Sequence, residues 1–226
     1  MRWCLGGGAW RHYDFRQAVK EAKERGWEFE YTDPVVLIGK DWRAAFRKGT
    51  WSGTFRFLSI GPGTVSERDF DLVRRLKPKS LAINATFPWR DLSQLHGLSD
   101  LTKLWFRDCP NLADIDALKD MKELTELGIH GSPVLVNIDV LKELQNLEDL
   151  RLGGCTALTN GDALRALKGL KRLNLSGCFG LKNVDGLHGL TGLERLNLQD
   201  CAGLTKEAVD AVKAALPKTM VLSDYE

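Results

Sequence analysis

Residues 147–169, LEDLRLGGCTALTNGDALRALKG, decide the fold, because residues 170–192 repeat them as LKRLNLSGCFGLKNVDGLHGLTG. Leu101, Leu124, Leu147, Leu170 and Leu193 each open such a line, so the period is 23 residues. A fixed period of this length dictates a stack of similar units and outranks any local motif. Within a line, the apolar residues at positions four and six have the period of a strand, as Leu150 and Leu152 show. Positions three, five and seven then face the other way.

Outward from that line the columns persist. Position four holds Leu58, Leu81, Leu104, Leu127, Leu150, Leu173 and Leu196, and position six runs from Ile60 to Val221. Eight strands are expected between Phe55 and Val221. Positions twelve and eighteen are also apolar, as in Leu158 and Leu164, and position twenty-one adds Leu167 at a helical spacing. One coil cannot bury these faces alone, whereas stacked coils share a continuous core. Ser66 before ERDFDLVRRL and Thr205 before KEAVDAVKAAL read as helix N-caps with acids in the first turn. The middle lines leave room only for short helices or 3-10 turns.

On these columns the chain resembles the leucine-rich repeat family, specifically its cysteine-containing lines, over residues 55–226. The resemblance implies an α/β solenoid with a parallel concave β-sheet and a helical or 3-10 convex side. It also implies a recognition scaffold rather than one particular function. Two lines depart from the pattern: Pro78 opens one whose turn reads TFPWRD, and Ser132-Pro133 stands where another should carry cysteine.

Residues 1–54 break the period and hold five of the seven tryptophans, Trp3, Trp10, Trp27, Trp42 and Trp51. An open solenoid end needs a cover, and large aromatics supply one. The division is therefore an aromatic-rich N-terminal α/β cap over 1–54 and a solenoid with a C-terminal capping helix over 55–226. The cap is expected to hold strands near Arg2–Leu5 and Trp27–Tyr31 and a helix near Asp14–Arg25. A degenerate coil is expected at Val35–Ile38, with a short helix near Asp41–Lys48. Gly6, Gly7 and Gly8 match neither a phosphate loop nor a dinucleotide fingerprint, so they read as a tight turn. Cys4, His12 and Asp14 lack the spacing of a catalytic set.

The formal net charge is +2, with +5 on residues 1–77 and −3 on residues 78–226. This balance predicts no basic stripe along the solenoid and no nucleic-acid partner. No stretch is apolar for long enough to span a membrane, and MRWCLGGGAWRHYD lacks a leader's apolar centre. The expectation is a cytoplasmic protein, although an effector secreted without such a leader reads the same way.

Cys109, Cys155, Cys178 and Cys201 share position nine. Neighbours in one column of a parallel stack point the same way, about 4.8 Å apart. They cannot converge tetrahedrally on zinc and suit a disulfide badly. Thr86 and Ser132 occupy the same column, which predicts a buried hydrogen-bonding ladder. His96 and His188 fall on the convex side. Asp116, Asp139, Asp162 and Asp185 share position sixteen, where caps of the convex turns are expected. No metal and no cofactor is called for.

Positions three, five and seven supply the expected concave surface. Trp105 stands between Lys103 and Arg107, and the next two strands bring Glu126, His130, Asp149 and Arg151. A tryptophan flanked by arginine is the chemistry of an interface hot spot, and Gly128 beside it predicts a shallow pocket. Trp105, Arg107, Glu126, His130, Asp149 and Arg151 are the candidate binding residues. The leading reading is a non-enzymatic scaffold for a protein or peptide partner. Two alternatives are a substrate-recognition subunit or effector with an activity in residues 1–54, and a self-assembling structural protein.

Overall fold

The computed structural model describes residues 17–32, 54–60 and 63–225. Arg2–Leu5, the Gly6–Gly8 turn, Cys4, His12, Asp14, Val35–Ile38 and Asp41–Lys48 lie outside them. Nine strands form one sheet in sequence order: β1 (Glu28–Thr32), β2 (Thr54–Ile60), β3 (Ser80–Thr86), β4 (Lys103–Asp108), β5 (Glu126–Ile129), β6 (Asp149–Arg151), β7 (Arg172–Asn174), β8 (Arg195–Asn197) and β9 (Met220–Leu222). Strands β2 to β9 are parallel and in register, so that Leu104, Leu127, Leu150, Leu173 and Leu196 follow one another across the ladder. The eight expected strands are present. The ninth, β1, pairs antiparallel with β2, placing Phe29 opposite Leu58 and Glu28 opposite Ser59.

The return segments divide as their sequences foretell. A first helix, α1 (17–24), precedes β1, and after it come α2 (Glu67–Leu76) and α3 (Lys206–Ala215), the two ten-residue helices. Asp69 accepts from both the backbone N–H and the hydroxyl of Ser66 at 2.7 and 2.6 Å, and Thr205 accepts from the Ala208 N–H at 3.3 Å. Between them run five 3-10 turns, from Ser93–Leu95 to Asp185–Leu187. Ion pairs of Glu21 with Arg75 and of Arg25 with Asp69 tie the α1 segment to α2.

The convex caps sit two residues earlier than the sequence suggests. The side chains of Asp91, Asp114, Asn137, Asn160 and Asn183, at position fourteen, each accept from the backbone N–H two residues on, at 2.8 Å. Asp116, Asp139, Asp162 and Asp185 supply the N–H that is capped. These are Asx turns, in which a short side chain satisfies the donor that opens a turn.

Position nine is a buried ladder. The Cys178 and Cys201 thiols donate to the carbonyls of Leu152 and Leu175 at 3.2 and 3.1 Å, and Cys155 reaches Ile129 at 3.8 Å. Ser132 does the same work, donating to the Cys109 carbonyl at 3.2 Å. Each contact crosses to the preceding coil near the end of its short strand. All four cysteines are free and buried, and burial pushes the Cys109, Cys155 and Cys178 thiols up to about 12 and Cys201 up to about 11. Turns leave the strands with positive φ at Gly131, Gly154 and Gly177, and Asp200 adopts the same conformation at φ 57°.

The line opened by Pro78 departs for a packing reason. In place of a leucine turn, its TFPWRD puts Phe87 into the core, edge-on to Phe106 at 4.9 Å and to Trp89 at 5.1 Å. The leucines from Leu101 to Leu204 are almost wholly enclosed, Leu127 and Leu150 at 0% exposure.

Leu150→Ala is expected to lower unfolding stability by roughly 2–5 kcal/mol, read from chemical denaturation, because the hole would face coils on both sides. In a Cys4→Ser background the four ladder cysteines should resist a thiol reagent at pH 8 until the protein is denatured, since only the thiolate attacks. Prompt reaction of the native protein would overturn the ladder.

Candidate concave interface

Strand sterics explain how the concave side chains are held. Trp105 on β4 and Gly128 on β5 are paired across the sheet. A Cβ at position 128 would lie 2.2 Å from Trp105 Cε3, so the indole lies flat over the bare glycine backbone. The pocket expected beside the ring is filled by the ring itself. Across that glycine strand, the Arg151 guanidinium stacks on the indole with its Cζ 4.7 Å from the ring centroid. A delocalised cation over an indole face is attracted by the ring quadrupole.

Arg151 is in turn anchored from below. Its Nε and Nη2 each donate to the Asp149 carboxylate at 3.1 Å, and Arg172 Nε donates to the same group at 2.8 Å. Asp149 is only 1% exposed. Its expected place on the binding surface is therefore corrected: two long arginines from β6 and β7 fold over the short carboxylate and cover it. Burial opposes ionisation of Asp149, but the hydrogen bonds and charges of Arg151 and Arg172 outweigh it and hold the carboxyl below its ordinary value.

The same ring-over-glycine device recurs one line on. A Cβ at Gly153 would approach His130 Nδ1 to 3.0 Å, so the imidazole leans over the neighbouring strand end. Burial, then the positive charges of Arg151 and Arg107, keep His130 below its ordinary 6.5. Glu126 is half-buried and receives the Lys103 ammonium. Arg107 is exposed and has no carboxylate partner among the described residues.

Of the six candidate residues, the structure joins Trp105, Arg151 and Asp149 into one contact chain, with His130 and Arg107 beside it through charge. Glu126 belongs to a separate pair with Lys103. What the sequence reading underweighted is Arg172, the second prong on Asp149, and the arginine pair that it begins. Arg172 and Arg195 are paired at position three on β7 and β8, and Met220, not Lys218, stands opposite Arg195 on β9. Together with Lys103, Arg107 and Arg151 the two arginines set five cations against Glu126 and the covered Asp149 at positions three, five and seven of β4 to β8. Lys103 pairs with Glu126, and Arg151 and Arg172 pair with Asp149, which leaves Arg107 and Arg195 as the exposed cations of these positions.

Among the described residues no group of three or more His, Cys, Asp or Glu is arranged to hold a metal ion, and no helix is long and apolar enough to cross a membrane.

The depressed His130 pKa has a definite sign. Unfolding restores the ordinary value, so below about pH 6.5 the unfolded chain takes up more protons than the native one and native stability falls. The stability advantage of wild type over His130→Asn should accordingly shrink as the pH is lowered from 7.5 towards 5, as measured by denaturation at each pH. An advantage that stays constant or grows would remove His130 from this charged environment.

Scans against protein-family models and curated proteins give no match. Solved structures do match. The leucine-rich repeat domain of the type III effector XopL aligns with a TM-score of 0.52 and 20% identity, covering 99% of this chain and 97% of that one. Internalin C2 of Listeria monocytogenes aligns with a TM-score of 0.50 and 18% identity, covering 93% and 92%. The functional domain of InlJ from the same organism, which includes a cysteine ladder, gives a TM-score of 0.50 and 20% identity over 68% of this chain. This chain spans only 37% of that domain's length. The parallel ladder, the 3-10 convex turns and these neighbours agree: the chain has the leucine-rich repeat fold.

Proposed function

We propose that the chain is a non-enzymatic scaffold that binds an acidic protein or peptide segment on its concave face. The observation that carries this reading is the Trp105–Arg151 stack, fixed from below by the Asp149 carboxylate. Aromatic and arginine side chains dominate interface energetics, most of all when they are already ordered before the partner arrives. Here Gly128 and Asp149 hold both groups in place, so little side-chain entropy remains to be lost. Arg107 and Arg195 lie exposed on the same face and complement carboxylates on a partner, speeding encounter more than adding affinity.

The test is capture from source-cell lysate with wild type and a Trp105→Ala/Arg151→Glu double variant matched in circular dichroism. Capture by the variant should fall roughly tenfold or more, as loss of a hot spot does. An acidic partner further requires weaker capture as salt is raised. Equal capture by both proteins would sink the concave-face reading and move attention to residues 1–54. Loss of capture after nuclease treatment would mark the ligand as nucleic acid instead.

A further inference from the structure

The two ends of the described sheet are treated differently. At one end β1 runs antiparallel over β2; at the other, β9 pairs only with β8 and no described strand lies beyond it. Along β9, the Met220 N–H donates to Glu194 O at 2.9 Å and Leu222 O accepts from the Leu198 N–H at 2.8 Å. Both of those residues therefore spend their backbone groups on β8. Successive residues of a strand aim these groups to opposite sides, so the N–H and C=O of Val221 point to the open edge. Met220 and Leu222 meanwhile carry apolar side chains on the concave face, 53% and 46% exposed, opposite Arg195 and Asn197 of β8. An edge strand with an apolar face and unused backbone groups is a template for another strand.

We propose that β9 is the docking edge for a second copy of this chain, paired antiparallel about a two-fold axis through Val221. The pairing is self-complementary. Val221 exchanges both hydrogen bonds with its own copy, and Met220 lies opposite the partner's Leu222, covering both exposed side chains. Lys218, before the strand, and Asp224, after it, are both exposed and of opposite charge. Antiparallel docking brings each Lys218 to the partner's Asp224 at both ends of the contact. A parallel arrangement would set like charges together and leave no closed symmetry. The dimer joins two concave faces into one continuous sheet, and leaves the Trp105 stack of each copy untouched.

Sedimentation equilibrium over about 10 µM to about 1 mM tests it, a range suited to a contact this small. Wild type should show a reversible monomer–dimer equilibrium. Val221→Pro, which removes the central donor from an edge strand that tolerates proline, should abolish it. Lys218→Asp and Asp224→Lys should each weaken association roughly tenfold or more, and combining them should restore it. Asp224 also accepts from the Asp200 N–H at 2.8 Å, so thermal melts must show each variant folded; Lys218→Asp carries the charge test free of that bond. A wild type that stays monomeric throughout, a dimer indifferent to Val221→Pro, or a double variant that does not recover would each overturn the proposal. Lysate capture through the concave face should be the same in Val221→Pro as in wild type, which separates the two claims.

Discussion

No line of this chain can bury its own leucines, and most of the other features serve that constraint. Leu104, Leu127, Leu150 and Leu173 disappear from solvent only because a similar coil lies on either side. Close stacking also strands polar backbone. The middle strands are only three or four residues long, so carbonyls such as those of Leu152 and Leu175 enter the interior soon after the ladder ends. A buried carbonyl without a donor is costly. These two already accept from the N–H groups of Cys155 and Cys178, and the Cys178 and Cys201 thiols add a second donor to each. The hydroxyls of Thr102 and Thr125 likewise add a further donor to the carbonyls of Lys79 and Thr102, at 3.0 and 3.1 Å.

This explains why the cysteines are chemically quiet. A metal site needs side chains that converge, and a redox pair needs two that face each other. The ladder offers one small side chain per coil, and Ser132, Cys155, Cys178 and Cys201 each donate to a carbonyl of the coil before. Ser132 also donates to a buried carbonyl of the preceding coil, that of Cys109, a sign that hydrogen bonding at small volume, rather than sulfur chemistry, sets the column.

The fold was legible because burial repeats: a column of leucines is visible in one sequence, and so are helix caps such as Ser66 and Thr205. The site was only half legible, since its geometry depends on what long side chains do once neighbouring strands are side by side. Asp149 reads as a concave-face acid, yet Arg151 and Arg172 close over it. Gly128 reads as a gap, yet the indole fills it. The convex caps differ for a similar reason: positions fourteen and sixteen are both polar, and only the path of the backbone decides which one accepts and which one donates. The pairing of β1 with β2 has no periodic signature at all.

Trp105 and Arg151 occupy the same position in lines that are two apart, and the glycine that lets them meet belongs to the line between. None of the three lines contains the contact by itself. Gain of a whole 23-residue line elsewhere in the solenoid would lengthen the protein and leave the stack intact, whereas one extra line inserted between these two residues would pull them a strand further apart while preserving every local rule of the fold. Insertion of a line therefore spares the stack across most of the solenoid and breaks it across one short interval: the proposed recognition centre is written in the order of the repeats and not in the content of any of them.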